Sequence, residues 1–210
     1  MIETSSISYY LYGTLMVIAA YLLGCINAAY LVTLKVKKTD IRQYGSGNAG
    51  ATNVLRTFGL KSAAPVALFD VFKGFLAVKL SIVLFGNSSI FVLLCATAVV
   101  CGHNWPIFFN YRGGKGIAAS LGAILAVSLQ IGIILLIVAV ILLLITHIMA
   151  LSTTTAMLLS IYLVYLFGYP TVCIVMCAVL TAMSLYQHKE NYKRILHGEE
   201  NKIYLFKKKK

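Results

Sequence analysis

Apolar residues occur along this chain in long blocks, separated by short turns and by three polar segments. A membrane-spanning helix needs about 20 such residues, range about 17–25. Residues 8–33 supply one block, which ends at Lys35, Lys37 and Lys38. A glycine-rich polar segment follows over 35–61. The block 62–85 carries Asp70, Lys73 and Lys79, and Gly86-Asn87-Ser88-Ser89 reads as a turn. The run 89–101 is too short to span unless it is tilted or buried. A second polar segment covers 102–116. The apolar run 117–149 would extend about 50 Å as one helix, against about 30 Å of hydrocarbon. It must fold back, and the pattern places that near Gln130-Ile131-Gly132. Two further helices are predicted over 153–167 and 171–187, split by Gly168-Tyr169-Pro170, before a polar tail over 188–210. The prediction is an all-α polytopic integral membrane helix bundle, one domain over 1–210. It has about seven transmembrane helices, some short or re-entrant. Five full spans plus re-entrant pieces is the alternative.

Composition sharpens this. The 210 residues are 60% hydrophobic and 11% charged, where soluble domains carry about 25% charged residues. A soluble globular enzyme and a disordered chain are both excluded. Eighteen Lys and Arg stand against six Asp and Glu, a net +12. On a soluble protein this would suggest nucleic acid; here it points to topology, anionic lipid or an anionic substrate, with no nucleic acid partner. The cations crowd three places: Lys35 to Lys61, Arg112 with Lys115, and the tail from Lys189 to Lys210. The connections near 1–7, 86–89, 130–132 and 168–170 have none. The positive-inside rule then puts the N-terminus outside and all three polar segments in the cytoplasm. The N-terminus lacks a positive region and a cleavage pattern, so it reads as the start of the first span. Cys25, Cys95, Cys101, Cys173 and Cys177 sit in or beside apolar runs without zinc-type spacing, so packing is their expected role.

Each polar segment carries chemistry. The first reads Gly45-Ser46-Gly47-Asn48-Ala49-Gly50-Ala51-Thr52-Asn53-Val54-Leu55-Arg56. Its glycines let backbone N–H groups approach a ligand, and Arg56 offers a forked permanent cation suited to phosphate. The second contains Gly102-His103-Asn104-Trp105-Pro106 and then Arg112-Gly113-Gly114-Lys115-Gly116, leading into an apolar helix. A helix start beside an ammonium is a ready anion site. It is not a nucleotide-binding Walker loop, because Gly116 rather than Ser or Thr follows the lysine. Trp105 reads as an interfacial anchor. In the third, His188 and Asn191 share a face if the last helix continues, as do Glu190 and Arg194. Within the membrane, Asp70 and Lys73 at i, i+3 predict a mutual ion pair. His147 reads as a satisfied core histidine. No metal-ligand cluster is visible, so metal independence is expected.

Taken together, GSGNAGATNVLR at 45–56, GHNWPIFF with RGGKG over 102–116, and HKENYKRILHGEE at 188–200 resemble the acyl-phosphate-dependent bacterial glycerol-3-phosphate acyltransferases, the PlsY family. FDVFKG at 69–74 is similar to that family's pattern as well. Tyr192 stands where the family has an aliphatic residue, and Glu199 where Thr is common. His147 takes an arginine-like place, and Thr153 a serine place beside Ser152. The resemblance implies a seven-helix bundle in the bacterial inner membrane with a cytosolic active site. Acyl transfer from acyl phosphate to the 1-hydroxyl of sn-glycerol 3-phosphate would give lysophosphatidic acid and inorganic phosphate, the first step of phospholipid synthesis. A partner enzyme would make acyl phosphate from acyl carrier protein, and no cofactor is needed.

The residues fit that chemistry. Phosphates would meet Arg56, Lys115 and the glycine-rich segments, with Gly45, Gly47, Asn48, Asn53, His103, Gly113, Gly114, Gly116 and Thr153 as further binding residues. The acyl tail would lie between helices among membrane lipid. Ser46 would steady the developing oxyanion, and Asn191 would orient the substrate. The proton acceptor is either His188 or the substrate's own phosphate, whose second pKa is about 6 by analogy with phosphoserine. The competing classes are an organic-phosphate transporter, which predicts inverted repeats that are not evident, and a lipid-binding scaffold.

Overall fold

A computed structural model describes residues 6–204. Residues 1–5 and the terminal lysines Lys207–Lys210 lie outside the described residues. The described chain is all helical. The helices are α1 (Ser6–Cys25), α2 (Ala28–Lys37), α3 (Ala51–Phe58), α4 (Leu60–Phe85), α5 (Ile90–Asn104), α6 (Ile117–Val127), α7 (Leu129–Thr146), α8 (Met149–Leu166), α9 (Thr171–Gln187) and α10 (Lys189–Leu196). Four stretches are long and apolar enough to cross a membrane: Ser6–Lys37, Ile90–Phe109, Leu129–Thr146 and Met149–Leu166. The α9–α10 pair, bent by 57°, makes a fifth only if its two helices are counted as one broken span. The α4 helix has the length, 26 residues, but carries the charges noted above. The α6 helix is short, at 11 residues.

The seven apolar helices form, and their boundaries differ from the sequence reading where a polar side chain caps a helix. The block 8–33 is not one helix. It breaks at Ile26, because Asn27 accepts a hydrogen bond from the Tyr30 amide (2.9 Å) and starts α2 afresh. The fold-back falls at Ser128, not at 130–132. Ser128 accepts from the Ile131 amide (3.3 Å), whereas a Cβ on Gly132 would lie 2.4 Å from Leu125 Cδ2, so that glycine serves packing. The turn between α7 and α8 is at His147 and Ile148, with His147 in the left-handed conformation (φ 59°). Ser152, Thr153 and Thr154 therefore lie inside α8, each hydroxyl donating to the carbonyl four residues back. The short run after the 86–89 turn is viable because much of it is buried: Val92, Cys95, Ala96, Val99 and Val100 are at most 1% exposed.

Lipid offers helices no hydrophobic drive to associate, so close backbone contact through small residues carries the packing. A Cβ on Gly24 would sit 2.2 Å from the Val99 carbonyl, and one on Gly102 2.1 Å from that of Tyr21, which locks α1 onto α5. Gly74 and Gly122 do the same for α4 and α6, against Ala119 and Val71 carbonyls. At one end of the bundle Tyr9, Phe85 and Phe91 cluster beside Ser89. The first polar segment lies on a second small core of Ala28, Ile41, Ala49, Val54, Ala63 and Val66, which joins α2, α3 and the start of α4. The five cysteines are free, and all but Cys101 are buried, consistent with packing. Lys79 lies on the exposed side of α4.

Candidate active site

All three polar segments meet at one cavity of about 400 Å³. Its polar end is walled by Ser46, Asn48, Asn53, Arg56, His103, Lys115, Gly116, Thr153, His188 and Asn191, and its apolar end continues between α6, α7 and α8 past Leu121, Ile124, Leu136, Ala139 and Met157. Gly45, Gly47, Gly113 and Gly114 stand behind this wall.

The first segment is organised around Asn53, 1% exposed. Its amide donates to the carbonyls of Tyr44 (2.8 Å) and Asn48 (3.0 Å), and its Oδ1 accepts from the Ser46 amide (3.0 Å). Gly45 and Gly47 have φ of 58° and 71°, the left-handed conformation the turn needs. The loop is stapled on both sides through Ala49. Its amide donates to the Gly113 carbonyl (3.3 Å), and its carbonyl accepts from Asn27 Nδ2 (3.3 Å). The break in the first span is thereby tied to both glycine-rich segments.

The expected role of the glycine amides as anion ligands needs correction at several positions. The amides of Gly47, Gly113 and Gly114 donate to the carbonyls of Tyr44, Asn104 and His103, at 3.0, 3.1 and 3.0 Å. Gly113 and Gly114 are required for close approach: a Cβ on either would fall 2.0 Å from His103, at its carbonyl oxygen and at Nε2 respectively. Gly116, which opens α6, is the glycine of this run that lines the cavity.

In the third segment the last helix does not run on. It bends at His188, and this brings His188 and the first turn of α10 over the cavity. Lys115 donates to Asn191 Oδ1. Asn191 Nδ2 donates to Glu200 Oε1 (2.7 Å), and Glu200 Oε2 pairs with Arg194 Nε (2.8 Å). The expected Glu190–Arg194 pairing is thus replaced: exposed Glu190 pairs with Lys193 (3.1 Å), and Arg194 turns to Glu200. Sequence reasoning missed Glu200 as part of the cavity wall. Its signal was Gly198, whose φ of 71° ends α10 and lets the chain double back. The returning strand is anchored where the Ile203 amide donates to the His147 carbonyl (2.8 Å). Tyr192 earns its aromatic ring by donating its hydroxyl to Thr154 (2.6 Å). Thr153 is in the cavity wall, while Ser152 lies behind it against Thr146 (3.3 Å).

Electrostatically the site is a cluster of cations held short of full hydration. Burial, with smaller contributions from Arg194 and Arg56 and an opposing one from Glu200, pushes the Lys115 ammonium down to about 8. Burial also lowers Arg56, with Glu200 opposing. His188, in the polar bend beyond α9, is pushed down to about 4 by burial and then by Lys115. Its Nδ1 lies 2.8 Å from the Ser184 carbonyl; a carbonyl only accepts, so Nδ1 carries the proton and Nε2 is a bare acceptor. The arrangement can hold a phosphate beside a neutral imidazole, with an apolar channel leading away.

A multi-pass bundle with a cationic polar pocket running into an apolar channel defines an integral membrane enzyme for a phosphorylated polar substrate and a lipid chain. The glycerol-3-phosphate acyltransferase family model matches residues 14–198. The glycerol-3-phosphate acyltransferase of Thermoanaerobacter pseudethanolicus is 45% identical over 193 residues, covering 92% of this chain and 96% of that protein. That of Aquifex aeolicus is 36% identical over 188 residues, covering 90% and 97%. The crystal structure of PlsY, an integral membrane glycerol 3-phosphate acyltransferase, in its glycerol 3-phosphate form superposes with a TM-score of 0.89. It is 35% identical, with 93% of this chain and 100% of that one covered. The lysophosphatidic acid form gives 0.86 at 34% identity, covering 92% and 96%. The chain belongs to the glycerol-3-phosphate acyltransferase family, and its activity is acyl transfer to glycerol 3-phosphate.

Proposed function

We propose that the chain transfers an acyl group from acyl phosphate to the 1-hydroxyl of sn-glycerol 3-phosphate, releasing 1-acyl-glycerol 3-phosphate and inorganic phosphate. The observation that carries this is the single cavity in which Arg56 and Lys115 stand at the mouth of an apolar channel between α6, α7 and α8. Both substrates bring a phosphate to the cations, and the acyl chain of one occupies the channel. The similar PlsY structures are of glycerol 3-phosphate and lysophosphatidic acid forms, which supports that pair as substrate and product here. The hydroxyl oxygen attacks the acyl carbonyl carbon, the bond from that carbon to the phosphate oxygen breaks, and phosphate leaves. Phosphate is already a good leaving group, so no acyl-enzyme is needed.

The hydroxyl proton goes to the phosphate of glycerol 3-phosphate itself. That group has a second pKa of about 6, whereas His188 at about 4 is the weaker base of the two. His188 Nε2 instead accepts a hydrogen bond from the substrate's non-reacting 2-hydroxyl, which positions the attacking 1-hydroxyl. Asn191, held by Lys115 and Glu200, orients the substrate, and Ser46 steadies the carbonyl oxygen as it gains charge. Thr153 and His103 shape the wall. The site faces the cytoplasm of a bacterial cell, where a separate enzyme supplies acyl phosphate from acyl carrier protein.

The test is purified protein in detergent with palmitoyl phosphate and glycerol 3-phosphate, read by phosphate release and by the appearance of lysophosphatidic acid. Both should depend on both substrates. Turnover with palmitoyl coenzyme A but not with palmitoyl phosphate would overturn the donor assignment.

A further inference from the structure

The ion pair inside the membrane extends well beyond a mutual neutralisation. Lys73, 0% exposed, directs its three N–H bonds to three acceptors: the carbonyls of Gly24 and Ile26, each at 3.0 Å, and Asp70 Oδ1 at 2.9 Å. Gly24 and Ile26 lie at the break between α1 and α2. The last carbonyls of a helix lack intrahelical partners and carry the negative end of its dipole. A buried ammonium there satisfies them and is itself satisfied. A lone buried charge costs several kcal/mol, so the break and the lysine stabilise one another.

Asp70 carries this fixed point into the site. Its Oδ1 faces His103 Nδ1 at 3.3 Å. Both atoms are buried; Asp70 Oδ1 also meets the Lys73 ammonium at 2.9 Å, and His103 Nδ1 has no other polar partner among the described residues. A carboxylate only accepts, and a bare imidazole lone pair facing it would be repelled, so His103 carries its proton on Nδ1. The opposite ring edge, at Nε2, fills the space that a side chain at 114 would take, and residue 115 is the lysine of the phosphate pocket. Asp70 and His103 both reach the cavity wall.

We propose that Asp70 and Lys73 are positioning residues for the acyl transfer. Anchored on the broken first span, they hold His103 in one orientation and one tautomer, and the ring in turn seats Gly114 and the Lys115 ammonium. This rests on the phosphate-pocket reading of Lys115. Both residues act through others: among the described residues the Lys73 ammonium meets the helix break, Asp70 and the face of the Phe69 ring, and Asp70 acts through His103.

Selective ¹⁵N labelling of histidine gives a readout that a merely cementing ion pair would not move. The chain has four histidines, and loss of one signal in His103→Gln assigns the resonance. In the wild type, His103 should show the Nδ1–H tautomer. The double variant Asp70→Asn/Lys73→Met removes both charges together and leaves no unpaired buried ion. It should lose that tautomer preference and at least about tenfold in kcat, with the KM for glycerol 3-phosphate changing by less than about threefold. An Nε2–H tautomer in the wild type overturns the proposal, whether or not the variant folds. So does a folded double variant with wild-type kcat. Absence of any wild-type turnover alongside the Nδ1–H tautomer would instead count against the substrate assignment.

Discussion

Lys115→Met removes the ammonium from the cavity while keeping an unbranched side chain of similar length. A hydrogen bond to a charged group contributes about 1.5–3 kcal/mol. If Lys115 holds a phosphate, kcat/KM should fall about 10- to 150-fold at pH 7. The empty protein should respond in the opposite sense. The native environment depresses this lysine from 10.5 to about 8, which places about 3 kcal/mol of penalty on its charged form. Loss of the charged contact to Asn191 offsets about 1.5–3 kcal/mol. The substrate-free variant should therefore be at least as stable as the wild type, by up to about 1.5 kcal/mol at neutral pH. Because the folded value lies below the unfolded one, that penalty is fully present below pH 8 and disappears between about 8 and 10.5. The gap in Tm between variant and wild type should close over that window. Activity gives the second reading, since kcat/KM reports ionisations of the free enzyme. Wild-type kcat/KM should fall as pH rises through about 8. Lys115→Arg, whose guanidinium stays charged, should have a lower plateau without that alkaline limb. The assay is initial-rate phosphate release in detergent from pH 6 to 10, corrected for uncatalysed hydrolysis, with thermal scans on the same samples. An alkaline limb at the same pH in Lys115→Arg would refute the reasoning, as would near-wild-type turnover by Lys115→Met.

Further outcomes follow from the same geometry. Arg56→Lys keeps the charge but loses the fork, and should cost at least about tenfold in kcat/KM at unchanged thermal stability; equal turnover would reduce Arg56 to a topology determinant. A protein with all five cysteines replaced by Ala or Ser should retain most activity per folded molecule, because their sulfurs pack and do not react; loss of turnover by a folded single variant would contradict this. Gly122→Val should destabilise by about 1–3 kcal/mol, since even its Cβ would meet the Val71 carbonyl at 2.0 Å; an unchanged Tm would show that the α4–α6 contact is looser than described. Cysteines introduced at 88 and 111, in a cysteine-free background, should be labelled from opposite sides of the membrane, and labelling from one side would sink the proposed orientation.

The apolar blocks and the residue types that line the pocket were legible in the sequence for local reasons, whereas α2 and α3 were not read as separate helices. Twenty apolar residues in a row have one stable state in lipid, and a cluster of glycines, small polar residues and a fixed cation has few uses beyond holding an anion. Arg56, Lys115, His188 and Asn191 could thus be selected before their separation in the chain was bridged. The tertiary structure decided which polar groups are free. The amides of Gly113 and Gly114 look available in sequence, yet they are spent on the carbonyls of Asn104 and His103. Asn53 looks like a ligand residue, yet its amide is consumed in holding the loop. Glu200 reads as solvated tail, yet the turn at Gly198 folds it onto Asn191 and Arg194. Lys73 pairs with Asp70 as its spacing suggests, but the carbonyls of Gly24 and Ile26 that complete its shell lie 49 and 47 residues away. Hydrophobic blocks and motif residues are properties of neighbouring positions. Hydrogen-bond satisfaction is a property of distant ones, and it exists only once the helices are packed.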